Sequence, residues 1–182
     1  KEKVGLHGLD QIVGWARAWL EAVDDDRVVS LCDIAGREYR GTLHDDWKLA
    51  AWRSLAGRVA DLKSAYKQLP SHPAHACVSL VAVKGPDGKT ALFQALSLMF
   101  GTKAAVYAFL RFSCALAAIA AKLLNLFVVE YFDDFTQADA TALSESAQTS
   151  LETGLGMLGW QLVTADAKRK PFGVEFVPLG AM

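Results

Sequence analysis

Two adjacent aspartates, Asp133 and Asp134, end the apolar and aromatic run at residues 126–132. Adjacent carboxylates repel each other and lose hydration when they are buried, so a hydrophobic run that ends in them favours a compensating divalent cation. The pattern therefore predicts metal-dependent phosphoryl chemistry. The alternative is a polar hairpin turn between two strands, because aspartate is a common turn residue.

A third carboxylate, Asp61, stands in a matching setting, where the short apolar lead-in Val59-Ala60 gives way to a polar segment. If both strands end at the same edge of one sheet, Asp61 and Asp133 come together although they are remote in sequence. Such a set can hold two Mg²⁺ ions about 3.5–4 Å apart, which activate the attacking oxygen and neutralise the leaving one in an in-line displacement. Mn²⁺ could take the place of Mg²⁺.

These residues carry a family resemblance. The segment 131–134, Tyr-Phe-Asp-Asp, resembles the Tyr-x-Asp-Asp hairpin of reverse transcriptases, and Asp61 followed by Tyr66 resembles that family's first metal-binding motif and its aromatic sugar gate. Segment 98–109 is similar to the Leu-Pro-Phe-Gly-x-Lys motif that opens the template-side helix. Segment 159–162, Lys168 and segment 176–180 follow the order of the last two palm motifs.

The resemblance covers residues 57–180 and looks closer to retrotransposon enzymes, of the tyrosine-recombinase kind, than to retroviral ones. Met99 and Val106 depart from it, because they stand where the family usually has prolines. Neither replacement touches an expected metal ligand.

The resemblance implies catalytic roles for the acidic residues. Asp61 and Asp133 would bind the metals, Leu62 would lend its backbone carbonyl, and Asp134 would complete the acidic cluster. Lys168 resembles a lysine that some polymerases place near the triphosphate, where it could protonate the leaving pyrophosphate. The alternative for Lys168 is a solvated side chain in the basic run 168–170.

The resemblance also implies nucleotide contacts. Tyr66 would stack under the incoming sugar and exclude a 2′-hydroxyl, unless it is an ordinary core tyrosine. Phe100 and Gly101 would line the base-pair pocket, Gly101 because close backbone approach to a nucleotide leaves no room for a side chain. As plain structure, these two residues are a strand end and a turn.

Three further residues are expected to contact template or primer. Lys103 and Arg111 lie at the start of a predicted helix and two turns along it, where they could meet template phosphates. Tyr131 precedes the acidic turn, beside the primer end. Arg111 could instead be a solvated residue on one helix face.

The composition suits part of a larger enzyme. The chain has 182 residues, of which 52% are hydrophobic, which is enough to bury a core as one domain. The net charge is −1, whereas proteins that hold nucleic acid unaided usually show a basic face. We expect a fragment whose partners are an RNA template, a DNA primer, a deoxynucleoside triphosphate and other domains of a polyprotein, such as a thumb and a ribonuclease H or recombinase. The alternative is a protein that does not bind nucleic acid.

The three cysteines are widely spaced and form no zinc motif, which is typical of a reducing intracellular compartment, cytoplasmic or nuclear. The apolar region 104–129 is interrupted by Arg111 and Lys122, so we expect a buried helix and strand and no membrane partner.

The expected fold class is α+β: a polymerase palm in which helices pack on one face of an antiparallel sheet, as in split β-α-β, ferredoxin-like folds. Residues 1–56 would be partial fingers or an N-terminal extension, residues 57–182 the palm with an inserted fingers hairpin at 76–97, and the thumb would be absent. Helices are predicted at 9–22, 102–124 and 141–158, and strands at 28–32, 76–83, 90–96, 126–131 and 172–177. A catalytically inactive palm that binds nucleic acid or protein, and an unrelated α+β binding domain, remain as alternatives.

Overall fold

The computed structural model describes residues 8–163 and 170–177, and it has an α+β fold with small antiparallel sheets. Over these residues the helices are α1 (Leu9–Glu21), α2 (Leu49–Arg53), α3 (Lys103–Leu123) and α4 (Ser144–Met157). The strands are β1 (Val28–Cys32), β2 (Glu38–Thr42), β3 (Leu55–Asp61), β4 (Leu80–Lys84), β5 (Thr90–Gln94), β6 (Val128–Tyr131) and β7 (Asp134–Ala140). Short 3₁₀ turns lie at Ala65–Gln68, Pro73–Val78 and Thr141–Leu143.

The central sheet has three strands in the order β3-β7-β6, and both pairs are antiparallel. Its register places Leu55 opposite Ala140 at one end and Asp61 opposite Asp134 at the other. A hairpin joins β6 and β7, whereas β3 comes from far upstream. The sheet therefore brings the end of β3 next to the β6–β7 hairpin, although the two are distant in sequence.

One core joins this sheet to the two long helices. Ala60 and Phe135, which lie opposite each other on β3 and β7, belong to the same buried cluster as Phe109 of α3 and Leu151 of α4. Side chains alternate between the faces of a strand, so the neighbouring residues Asp61 and Asp134 point to the other face. The sheet therefore separates its acidic pair from the helical layer.

Helix α3 begins and ends as the sequence predicts. The Thr102 hydroxyl accepts a hydrogen bond from the Ala105 amide (3.2 Å), and Asn125 follows the helix with a left-handed φ of 53°. Its buried residues repeat at helical spacing, and Phe109 and Ser113 are fully buried. Among the described residues α3 is also the one helix whose length and composition would allow it to cross a membrane, a test that core helices of soluble proteins also pass.

The N-terminal part is held together by tryptophans. The rings of Trp19 in α1 and Trp52 in α2 stack with centroids 4.1 Å apart, and each indole N–H donates to the other residue's carbonyl oxygen at 3.0 Å.

The prediction of helix 9–22 is confirmed, and so is strand 28–32. The segment that follows contains β2, whose exposed residues show no apolar alternation, and the short helix α2.

The predicted hairpin around Pro86-Asp87-Gly88 is confirmed as β4 and β5, and Gly88 has the positive φ of 77° that its turn requires. Its first strand begins later than predicted, because residues Pro73–Val78 form a 3₁₀ turn with proline at its start. The predicted strand at 172–177 is wrong within the described residues, since only the bridge between Gly57 and Gly173 forms there.

Candidate functional site

The acidic turn is a two-residue hairpin loop between β6 and β7. Tyr131 pairs with Asp134 across the ladder, so Phe132 and Asp133 form the loop and Asp134 already belongs to β7. The prediction that the two aspartates make the turn is therefore wrong by one residue. Phe132 has a φ of 56°, a left-handed conformation that suits a tight hairpin but is uncommon for a bulky side chain.

Asp61 lies directly opposite Asp134 on the neighbouring strand. The Leu62 amide donates to the carbonyl oxygen of Asp133 (3.1 Å), so the Asp61–Asp134 pair is the non-hydrogen-bonded kind, in which the Cα atoms stand about 4.5 Å apart. Like charges placed directly opposite each other destabilise a sheet. A cation bound beside them would relieve that repulsion.

A third segment borders Asp61 on the side away from β7. Leu162 forms a bridge with Leu62, and the Val163 amide donates to the Asp61 carbonyl oxygen (2.9 Å). The Gln68 side chain closes this junction, because it donates to the carbonyl oxygens of Lys63 (2.8 Å) and Gln161 (2.9 Å) and accepts from the Gln161 amide (2.7 Å). The backbone around Asp61 is thus fixed on both sides.

A cleft of about 480 Å³ opens between the acidic turn and the β4–β5 hairpin. Asp133 forms part of one wall, and aromatic and small residues form the rest. The lining residues are Ser64, Ala65, Tyr66, Lys67, Val81, Ala95, Ser97, Leu98, Met99, Phe100 and Asp133. The structure therefore brings Asp133, Tyr66 and Phe100 to a single concave site.

Tyr66 is a buried residue that also lines this cleft. Its ring stacks on Phe109 with centroids 4.6 Å apart and meets Phe100 edge to face at 5.3 Å. Burial of the phenol raises its pKa above the ordinary 10.0, and the negative charge of Asp133 raises it further. Tyr66 is therefore a neutral, rigidly held ring beside the acidic turn, and it serves the core and the cleft together.

Phe100 lines the opposite side of the cleft, and Gly101 follows it in the chain. Phe100 is 82% exposed, so its ring stands free for contact with a bound molecule. Gly101 has a φ of 94°, and a Cβ built there would meet nothing within 4 Å. The structure thus requires glycine at this position for the backbone conformation, and not because neighbouring protein atoms crowd it.

The basic candidates lie outside the cleft. Lys103 is exposed at the first residue of α3, and Arg111 is exposed two turns further along. Tyr131, whose ring meets Phe132 edge to face at 5.1 Å, pairs with Asp134 and so shares its face of the sheet. Lys168 lies outside the described residues.

The acidic residues fit a metal site that substrate would complete. Within residues 8–163 and 170–177, no group of three or more histidine, cysteine, aspartate or glutamate side chains is arranged to hold a metal ion. Mg²⁺, however, is commonly bound by one or two carboxylates together with substrate phosphates, and not by a cage made of protein alone. Asp61 and Asp134 at paired positions, with Asp133 facing the adjacent cleft, offer a donor set of that partial kind.

Sequence reasoning missed several residues that shape the site. Lys67 lines the cleft beside Tyr66, and its position directly after Tyr66 in the sequence could have indicated it as a site residue. Gln68 and Ser113 act through contacts that are remote in sequence, the latter by donating a short hydrogen bond to the Phe132 carbonyl oxygen. No local pattern could have indicated those two contacts.

Comparison of this sequence with protein-family models and with curated proteins finds no match.

Proposed function

We propose that this chain is the palm of an RNA-directed DNA polymerase from a retroelement. The observation that carries the proposal is the position of Asp61 opposite Asp134, with Asp133 facing the adjacent cleft. A carboxylate cluster at a sheet edge, an aromatic ring beside it and a concave pocket are the parts that phosphoryl transfer to a nucleic-acid end requires.

In the proposed reaction the primer 3′-oxygen forms a bond to the α-phosphorus of a deoxynucleoside triphosphate, and the bond to the departing pyrophosphate breaks. Asp61, Asp133 and Asp134, with the Leu62 carbonyl, would hold two Mg²⁺ ions. Those ions supply charge neutralisation and activation of the attacking oxygen. The chain's own task is to align the two reactants, since positioning supplies much of the rate in such reactions.

The cleft residues would perform that alignment. The Tyr66 ring, held by Phe109, would lie under the sugar and exclude a 2′-hydroxyl. Phe100 and Gly101 would contact the base pair, and Lys103 and Arg111 would meet template phosphates from α3. RNA template, DNA primer and the remaining polyprotein domains, including a thumb, are the proposed partners, and the reaction would take place inside the cell.

The test is primer extension on an RNA template with Mg²⁺, comparing the wild-type protein with Asp133→Asn. Asparagine keeps the size of the side chain but removes its charge, so we expect at least a hundredfold loss of rate, on the order of the loss of a principal electrostatic group. A matched control is Asp26→Asn, which changes an exposed aspartate in the turn between α1 and β1. Equal extension by the wild type and Asp133→Asn would overturn the catalytic role of Asp133, and absence of extension by the wild type would indicate an inert palm that only binds nucleic acid or protein.

A further inference from the structure

Ser113 and Phe132 form a contact that no sequence motif indicates. Ser113 lies in the middle of α3 and is fully buried, and its hydroxyl donates to the carbonyl oxygen of Phe132 in the acidic turn. A serine inside a helix commonly bonds to a carbonyl of its own preceding turn. Here the hydroxyl reaches across to another element, so it contributes a tertiary contact.

The residue that accepts this bond is held in an unfavourable conformation. Phe132 has a φ of 56° and carries a large aromatic side chain, and such a conformation persists only when surrounding contacts determine it. The carbonyl oxygen of the next residue, Asp133, accepts from the amide of Leu62, the residue directly after β3, at 3.1 Å. Consecutive carbonyl groups of the loop are therefore anchored to two different parts of the chain, α3 and the residue that directly follows β3.

These anchors determine where the Asp133 side chain points. In a two-residue loop, rotation of the peptide after Phe132 would move Asp133 relative to the cleft that it lines. The Leu62 amide holds the carbonyl group of Asp133, and the Ser113 hydroxyl holds the carbonyl group of the peptide that precedes Asp133. Without the Ser113 hydroxyl, one of the two constraints on the direction of Asp133 is lost.

We infer that Ser113 is a positioning residue, whose hydroxyl holds the Phe132 carbonyl so that Asp133 faces the reacting atoms. The inference deepens the proposed function and rests on it. Ser113 does not touch substrate, and its effect passes through the backbone of the turn. Misplacement of a reacting group by a small distance can lower a rate by about a hundredfold, so a buried hydroxyl is sufficient for this role.

The chain offers a matched control in a serine of α4 that bonds to the other end of β7. Ser144, at the first residue of α4, also donates its hydroxyl to a backbone carbonyl, that of Ala140 (3.3 Å). Ala140 ends β7, whereas the acidic turn begins it. Ser144→Ala therefore removes the same kind of bond at the end of β7 that lies away from Asp133.

The experiment compares the wild type, Ser113→Ala and Ser144→Ala in primer extension and in native-state amide exchange. For Ser113→Ala we expect kcat to fall by about ten- to a hundredfold while KM for the nucleotide stays within about twofold, because alignment and not binding is lost. Exchange of the Leu62 amide should become about tenfold faster relative to the Gly57 amide, which is bonded to Gly173 at the other end of β3. Ser144→Ala should change neither quantity.

If Ser113→Ala and Ser144→Ala have the same kcat and the same exchange rate of the Leu62 amide, the inference is overturned. If the wild type extends no primer, the proposed function fails, while the exchange comparison still decides whether Ser113 holds the turn. Should Ser113→Ala fail to fold by circular dichroism, Ser113→Cys replaces it, because a thiol has similar size and is only a weak donor. If Ser113→Cys keeps the wild-type kcat and the wild-type exchange rate of the Leu62 amide, the inference is likewise overturned.

Discussion

Asp61 and Asp134 lie directly opposite each other across neighbouring antiparallel strands, Asp61 as the last residue of β3 and Asp134 as the first residue of β7. The fold maintains this arrangement through bonds on both sides: Leu62 donates to the Asp133 carbonyl and Val163 donates to the Asp61 carbonyl. A protein gains no stability from placing like charges opposite each other. A cation bound beside the pair would lower the repulsion between the two carboxylates.

The first prediction follows from that pairing. Mg²⁺ that binds only the folded state at about ten times its dissociation constant should add about 1.4 kcal/mol to the free energy of unfolding. We expect this gain in the wild type, in the presence of a deoxynucleoside triphosphate, and its loss in Asp61→Asn. Urea unfolding with and without Mg²⁺ measures it. Asp139→Asn, at the far end of β7, serves as the control and should keep the gain, and an equal gain in Asp61→Asn would contradict a site at the pair.

The second prediction concerns Tyr66. Tyr66→Phe keeps the ring that stacks on Phe109, so it should keep the preference for deoxynucleotides over ribonucleotides. Tyr66→Leu removes the ring, and relative incorporation of ribonucleotides should rise at least about tenfold, because the pocket no longer rejects the hydroxyl by shape. Single-nucleotide extension with matched deoxy and ribo substrates measures both. A loss of preference in Tyr66→Phe would show that the phenolic hydroxyl, and not the ring, makes the selection.

The parts of the fold that could be predicted from sequence are those determined by neighbouring residues. Helix α3 runs between Thr102, which caps it, and Asn125, which adopts the left-handed conformation after it. The β4–β5 hairpin follows from its Pro-Asp-Gly turn. In contrast, the predicted strand 76–83 begins too early, because residues 76–78 belong to the 3₁₀ turn that starts at Pro73.

The contacts that give the candidate site its geometry could not be predicted in this way. The three-stranded order β3-β7-β6 and the register that sets Asp61 against Asp134 depend on the packing of distant segments. The buried side chain of Arg58 illustrates the same point, because its partners lie on β7 and α4. A charged residue three positions before Asp61 would be expected in solvent from sequence alone.

The third prediction concerns the pH dependence of stability. Burial raises the pKa of Asp139 above the ordinary 3.8, and the hydrogen bond from the Ala140 amide (2.7 Å) only partly opposes this effect. The folded state thus binds the proton more tightly than the unfolded state, so its stabilising contribution is present below pH 3.8 and is lost as the pH rises through the folded pKa.

Asp139→Asn carries no charge at any pH and can still accept the Ala140 hydrogen bond. We expect it to be more stable than the wild type at neutral pH and to lose this advantage below pH 3.8. Urea unfolding at both pH values measures the difference. Asp26→Asn, at an exposed position, should show no such pH-dependent gain, and a constant gain for Asp139→Asn at both pH values would refute the assignment to its carboxyl group.

The fourth prediction tests how the strand that carries Asp61 is held against the helical layer. Arg58 is only 2% exposed, and its guanidinium donates to Gln137 (2.7 Å) and to Glu152 (2.7 Å), while Phe172 lies 5.6 Å from it. Removal of the guanidinium takes away these bonds and the buried ion pair with Glu152. Arg58→Ala should therefore lower the free energy of unfolding by about 3 kcal/mol, the low end of the usual range because Glu152 keeps 24% of its side chain exposed.

The matched control is the surface pair of Arg53 and Asp25, which has a similar separation of 2.8 Å but side chains that are 42% and 89% exposed. Arg53→Ala should cost at most about 0.5 kcal/mol, since solvent screens such a pair. Because Gln137 is bound to the Ala147 carbonyl as well, Arg58→Ala should also loosen the contact between β7 and α4. Urea unfolding of both variants measures the difference. Equal losses in the free energy of unfolding would mean that burial of the Arg58 pair contributes nothing to holding β3 in place.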